Sequence, residues 1–351
     1  MKIIIKIIIL FKAIIAQPLS ILRFSLSILM GKYSLERLND IYSLENISQY
    51  ALSKTWFLKL LPDSFLTLDI SQYNILKYSI LISALCAAIG FLGRLNLLIL
   101  AFLCFYIFGI GEGIGVFDHH ASLPSQVIFA LALVPGSMKL SLDYLFLYIY
   151  YKQKRWNLNF KDNPKWGLNL ILMLLVLTYF AAGASKLRYG KGTSWMDGST
   201  LGFYLKERTF EYSDGDSQLI IGDNKISKDE KWKDKYGFIA HTYGNFQSSK
   251  KMNAVADYIA NNKVLIIALS IGSVLFELFG FIVFFNSKYR NLYLISAIIF
   301  HMSIGSLMGI SFRQYRLICF CLIDWVSFFN FLENRFKQFS FYKQLSKKVS
   351  S

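Results

Sequence analysis

Trp166-Gly167-Leu168-Asn169-Leu170-Ile171-Leu172-Met173-Leu174-Leu175-Val176-Leu177-Thr178-Tyr179-Phe180-Ala181-Ala182-Gly183-Ala184-Ser185-Lys186-Leu187 is the stretch that decides the class of this chain. Residues 166–185 carry no charge, and the run stops on a lysine. At about 1.5 Å per residue such a helix crosses roughly 30 Å of hydrocarbon. A lysine at the mouth of a greasy segment is either an interfacial anchor or a reactive amine. Which one it is separates an enzyme from a piece of membrane architecture.

Working outward, the composition agrees with this reading. Of 351 residues 54% are apolar, 17% aromatic and only 17% charged, where a soluble domain averages about a quarter charged. The expected fold is all-α, a polytopic transmembrane helical bundle of about eight spans with one large exoplasmic loop. The spans are expected near 19–30, 75–92, 95–113, 121–151, 166–185, 264–285, 292–310 and 317–332. The fourth reads as one span or as two half-spans broken at Pro135-Gly136. Residues 1–16, with Lys2, Lys6 and Lys12 on one broad face, read as an amphipathic interfacial segment. Residues 17–335 form the transmembrane domain, into which the loop 188–262 is inserted, and 336–351 form a basic tail.

The net charge of +16 sits mainly in short connections and at the two ends. The 152–165 connection holds Lys152, Lys154, Arg155, Lys161 and Lys165 against Asp162, and Lys288 and Arg290 mark another. If the spans alternate, these fall on one side with Arg94, the N-terminus and the tail residues Arg335, Lys337, Lys343, Lys347 and Lys348. By the positive-inside rule that side is the cytoplasm, so both termini are cytoplasmic and 188–262 is exoplasmic. The expected location is the cell membrane, with the lipid bilayer as partner. Nucleic acid is not, because no basic-aromatic motif accompanies the charge.

Ionisable groups inside spans are costly and are functional candidates by default. These are Arg23, His119 and His120 entering span four, Lys186 leaving span five, Glu277 in span six and His301 in span seven. His119, His120 and Lys186 fall toward the exoplasmic ends of their helices. Each has a plainer reading: Lys186 as a snorkelling anchor, His301 as a packing residue, Glu277 as a structural carboxylate with Arg23 as its partner. Only four histidines exist, and Cys319 and Cys321, two apart on a helix, point in different directions. No metal is therefore expected. No Gly-x-Ser-x-Gly elbow, H-E-x-x-H or dinucleotide fingerprint occurs. An amine, imidazoles and a carboxylate among apolar walls suit the head of a lipid-soluble cofactor.

The pieces Gln17-Pro18-Leu19-Ser20-Ile21-Leu22-Arg23-Phe24, Gly93-Arg94, His119-His120-Ala121-Ser122, Tyr179-Phe180-Ala181-Ala182-Gly183-Ala184-Ser185-Lys186-Leu187, Trp195-Met196-Asp197-Gly198, Phe276-Glu277-Leu278 and Phe300-His301 occur in this order. Together they resemble the transmembrane region shared by vitamin K-dependent gamma-glutamyl carboxylases and the horizontally transferred transmembrane (HTTM) family. The Tyr179 to Leu187 piece with its downstream tryptophan is the specific part.

The resemblance implies a reduced quinone, vitamin K or menaquinol, as cofactor, and carboxylase-like chemistry of a lyase or oxidoreductase kind. It makes Lys186 the base, a role that requires an uncharged amine. It sets His120 at the quinone head with His119, Trp195 and Arg94 in the cofactor site, and His301 and Glu277 in support. Two departures count against glutamate carboxylation itself. His119 stands where the family has asparagine, and no large lumenal domain follows the spans. Short bacterial members include a membrane factor that matures a secreted peptide toxin, and this chain is nearer that size. The expected partner is thus a secreted peptide or protein. The competing expectation is a non-catalytic assembly, maturation or export factor.

Overall fold

The computed structural model describes residues 11–43, 56–62, 65, 68–113, 119–150, 165–188, 195–206, 249–331 and 335. These residues form helices and connections with no strand among them. The expectations for 1–10, most of the 188–262 loop (with His241 in it) and 336–351 lie outside the described residues.

The main helices are α1 (Pro18–Ser43), α2 (Ile70–Ile89), α3 (Gly93–Gly113), α4 (His119–Leu133), α5 (Leu142–Tyr150) and α6 (Lys165–Arg188). Two short elements follow, α7 (Ser199–Lys206) and α8 (Lys250–Asn261), then α9 (Lys263–Leu278), α10 (Ser287–Met308) and α11 (Arg313–Leu322). Their ends are chemically marked. Pro18 opens α1 with its preset φ. Asp69 and Gln72 make a capping box for α2, in which the Asp69 carboxylate accepts from Gln72 N at 2.7 Å. The Asp143 carboxylate, from α5, accepts from Leu92 N and Gly93 N at 2.8 and 2.7 Å, closing the positive end of α3.

Among the described residues four helices are long and apolar enough to cross a membrane, namely α2, the 93–111 part of α3, α6 and α10. A fifth crossing is available if α8 and α9, bent by 94° at their junction, count as one span. Of the eight expected spans these helices bear out a part, and three of the others are short or carry charge among the described residues. α1 is 26 residues long but carries Arg23, Lys32, Glu36, Arg37 and Asp40. The 121–151 segment divides at a turn holding Pro135-Gly136, leaving α4 and α5 with 15 and 9 residues. The last segment breaks at Ile323-Asp324, so α11 has only 10 residues.

Two apolar clusters hold the molecule together. The larger runs through α1, α3, α4, α6 and α11, with Leu22, Leu26, Leu100, Ile107, Val127, Leu175 and Ile318 fully buried. The smaller joins Leu205 of α7, Ala256 of α8, Ile266 at the start of α9 and Met308 at the end of α10. α7 and α8 thus lie across the ends of α9 and α10 as a cap. Gly198 makes that seating tight: its φ is +78°, and a Cβ there would sit 2.8 Å from Ile266 Cγ2.

At the other end lies the buried Arg23. Its guanidinium donates to Ser137 O at 2.9 Å, Ala87 O at 2.5 Å, Ala88 O at 2.8 Å and Leu140 O at 2.5 Å. It thereby closes the open carbonyl end of α2 and ties it to the turn after α4. Arg23 is not the partner of Glu277, as the sequence reading allowed; backbone carbonyls take its charge.

Candidate functional site

Tyr179, Gly183 and Lys186 are spaced i, i+4, i+7 on α6 and so share one face. That face meets α9, and Gly183 makes the approach close: a Cβ there would lie 3.0 Å from Glu277 Cβ and 3.1 Å from Leu278 Cγ. With no side chain at 183, the Lys186 chain has room to lie against α9. Its Nζ donates to Glu277 Oε1 at 2.5 Å.

The pair is taken largely out of water. The side chain of Lys186 is 18% exposed and that of Glu277 is 6%. Trp195 lies over the amine, with Nζ 4.9 Å from its ring centroid, and stacks on Tyr204 of α7. The cap is therefore also the roof of the pair. Glu277 Oε2 is buried and has no hydrogen-bond partner among the described residues. A buried acceptor in this state costs about 1–3 kcal/mol, so the carboxyl group has unused capacity for one donor.

About two turns away along α6, Tyr179 and His301 form a second polar contact. The Tyr179 hydroxyl lies 2.5 Å from His301 Nε2. Both are buried, at 4% exposure each. Phe276 stacks on Tyr293 at 4.6 Å and meets Tyr179 edge to face, and Phe312 lies 4.4 Å from the His301 ring. Aromatic rings thus bracket the imidazole, as they would a packing histidine, while Tyr179 satisfies its Nε2 atom.

The expected site residues divide accordingly. Lys186, Glu277 and Trp195 come together. His301 lies in the same seam, two turns deeper, and is bonded to Tyr179. His119 and His120 open α4, whose far end meets the start of α6, since a Cβ on Gly167 would lie 3.0 Å from Val134 Cβ. α4 and α6 are thus antiparallel, so the two histidines start their helix at the Lys186 end; their side chains lie outside the described residues. Arg94 is exposed at the beginning of α3, next to Gly93 and Asp143 at the Arg23 end. Lys186 stands 21 residues along α6 from its start at that end, about 30 Å away. Tyr179 escaped the sequence reading as a site residue, although its i, i+4, i+7 spacing with Gly183 and Lys186 was there to be read.

Among the described residues no group of three or more His, Cys, Asp or Glu is placed to hold a metal ion. Comparison with known proteins gives no match: no family model fits the chain, and neither a curated protein nor a solved structure matches it.

Proposed function

We propose that this multi-pass helical protein is a quinone-using membrane enzyme of the HTTM and vitamin K-dependent carboxylase kind, acting on a secreted peptide or protein at its capped, exoplasmic end. One observation carries the reading: a dry Lys186–Glu277 pair under Trp195 keeps one carboxyl oxygen unpartnered. A bound hydroquinone supplies a weakly acidic hydroxyl and two-electron redox chemistry. The residues fit such a head group, because the buried Glu277 Oε2 has room for a donor. Half-exposed Phe180 and Phe281, in edge contact at 5.7 Å, offer an apolar surface to a tail.

The chain's own groups then handle one proton. Within the pair, that proton belongs to either the amine or the carboxyl group across 2.5 Å. Lys186 serves as base only as an uncharged amine whose lone pair faces the donor hydroxyl, as the resemblance requires. Trp195 and the cap exclude water, which strengthens each electrostatic contact beneath them. The resemblance assigns the orienting of the head group to His120, at the start of α4.

The test is mass spectrometry of the organic extract of the purified protein. Menaquinone is expected in the wild type near one per chain and lost in Lys186→Met and Glu277→Leu. A quinone-free wild type from quinone-replete membranes would sink the proposal.

A second reading, a non-catalytic assembly or maturation factor, draws on the same geometry. Lys186 and Glu277 satisfy each other across α6 and α9 as a structural clasp does. Under that reading the double variant Lys186→Met with Glu277→Leu keeps biological function, and deletions in 188–262 destroy it. Under the enzyme reading the double variant is folded and inactive.

A further inference from the structure

A second polar site, between α1 and the α10–α11 connection, shares no lining residue with the Lys186–Glu277 pair. α11 runs antiparallel to α1, with Ser25 Oγ 3.8 Å from Cys321 Sγ deeper in the bundle. Where they diverge, a cleft of about 290 Å³ opens between α1 and the α10–α11 connection. Lys32, Tyr33, Glu36, Gly309, Arg313 and Gln314 line it.

Three features of this cleft ask for an anion. The N-terminus of α11 opens into it without a side-chain cap, since Phe312 holds the capping position. Its free N–H groups favour negative charge. Arg313 is exposed and pairs with no carboxylate among the described residues, and Arg316, one turn on, has a buried Nε with no partner there. Gln314 is 5% exposed, lines the cleft and makes no side-chain hydrogen bond among the described residues. Its amide therefore opens only onto the cleft, where it is placed to bond the oxygens of a ligand. Lys32 adds a second cation on the rim, shared loosely with Glu36 at 3.7 Å.

What lies below the cleft selects among anions. Ile28 and Phe24 stand one and two turns beneath Lys32 on the same stripe of α1, exposed by 46% and 50%. On α11, Phe320 is 52% exposed, two turns beneath Arg313. A charged niche above two exposed apolar stripes matches a molecule with a phosphate at one end and hydrocarbon at the other.

We propose that this cleft seats the headgroup of an anionic glycerophospholipid. Arg313, Lys32 and the α11 N-terminus take the phosphate, and Gln314 bonds its oxygens. The acyl chains run down the Phe24–Ile28 and Phe320 stripes. The site does not depend on the reading of Lys186.

Native mass spectrometry of the full chain released from detergent tests this. The probes are dioleoyl phosphatidylglycerol, dioleoyl phosphatidylcholine and inorganic phosphate. One phosphatidylglycerol is expected to stay bound and phosphatidylcholine to be held less tightly. Arg313→Gln and Lys32→Gln should each cut retention of the anionic lipid about tenfold, the effect of losing one charge-assisted bond, while Glu36→Gln leaves it intact. Lys32 and Arg313 are exposed, so both variants fold, and an unchanged melting temperature verifies it. Equal retention of both lipids by the wild type and the two variants would overturn the proposal. So would displacement of phosphatidylglycerol by millimolar inorganic phosphate, which would make this a site for a free anion.

Discussion

Arg23 and Lys186 are both cations set into apolar helices, yet the fold treats them in opposite ways. Arg23 is 1% exposed and spends its donors on four backbone carbonyls from α2 and the turn after α4. Lys186 sits beneath a cap and meets one carboxylate, whose second oxygen is left over. A charge whose neighbours take four of its five N–H donors is a fastening, with little left to bind anything else. A charge in an unfinished network retains capacity for a ligand. Burial alone does not separate structure from function; the completeness of the bonding does.

The contrast breaks first at Arg23. Arg23→Met would strand the carbonyls of Ala87, Ala88, Ser137 and Leu140 in an apolar setting, at a cost of about 3–5 kcal/mol. Arg23→Lys should rescue little, because a single ammonium lacks the planar fork that reaches both segments. The expected outcome is loss of monodisperse protein after detergent extraction, read by size-exclusion chromatography. A well-behaved Arg23→Met protein would remove the structural half of the comparison.

The next effect is at the pair itself. Glu277→Leu leaves a largely buried amine without its carboxylate and should destabilise by roughly 2–4 kcal/mol. Adding Lys186→Met should recover most of this, because two apolar groups of similar volume replace a desolvated pair. Thermal unfolding of the two single variants and the double variant closes the cycle. Additivity, with no recovery, would mean that the two groups are not coupled as the 2.5 Å contact requires.

The two regions also differ in how much of them could be read from the sequence. α2, α3, α6 and α10 were legible because each presents a long run with at most a charge or two, and the length of such a run is a local property. Lys186, Glu277 and His301 stood out for the same reason, as polar groups in apolar segments. Their partners did not. Arg23 bonds to main-chain carbonyls, which leave no trace in side-chain identity, so the sequence offered a carboxylate, Glu277, in their place. The turn holding Pro135-Gly136 was visible as a break, but not that its carbonyls would receive Arg23. The shortening of the last span to α11 turned on Asp324, which accepts from Ser327 and from Arg290 of α10. A bond formed across 34 residues is a tertiary fact.

Gly183→Ala probes the shape of the pair rather than its charge. The added Cβ meets Glu277 Cβ at 3.0 Å and Leu278 Cγ at 3.1 Å, both tighter than ordinary contact. α6 and α9 must part by a few tenths of an ångström, an overpacking cost of about 1–3 kcal/mol. Quinone retention should fall more than stability does, because the displacement acts on the carboxyl group directly. Equal retention in Gly183→Ala and the wild type would put the binding groups somewhere other than this seam.

The smallest expected effect belongs to Tyr179→Phe. It removes the hydroxyl 2.5 Å from His301 Nε2 while keeping the ring that meets Phe276 and Tyr293. Losing one neutral hydrogen bond inside the bundle costs about 1 kcal/mol, a small drop in melting temperature. If the Tyr179–His301 contact is packing only, quinone retention stays at the wild-type level. If the imidazole belongs to the proton path of the Lys186–Glu277 pair, activity falls well beyond what a 1 kcal/mol change in stability allows. His301→Gln should then fall with it, since an amide bonds to Tyr179 without exchanging a proton. The seam on α6 would in that case be a single unit two turns deep, and the Arg23 end its inert counterpart.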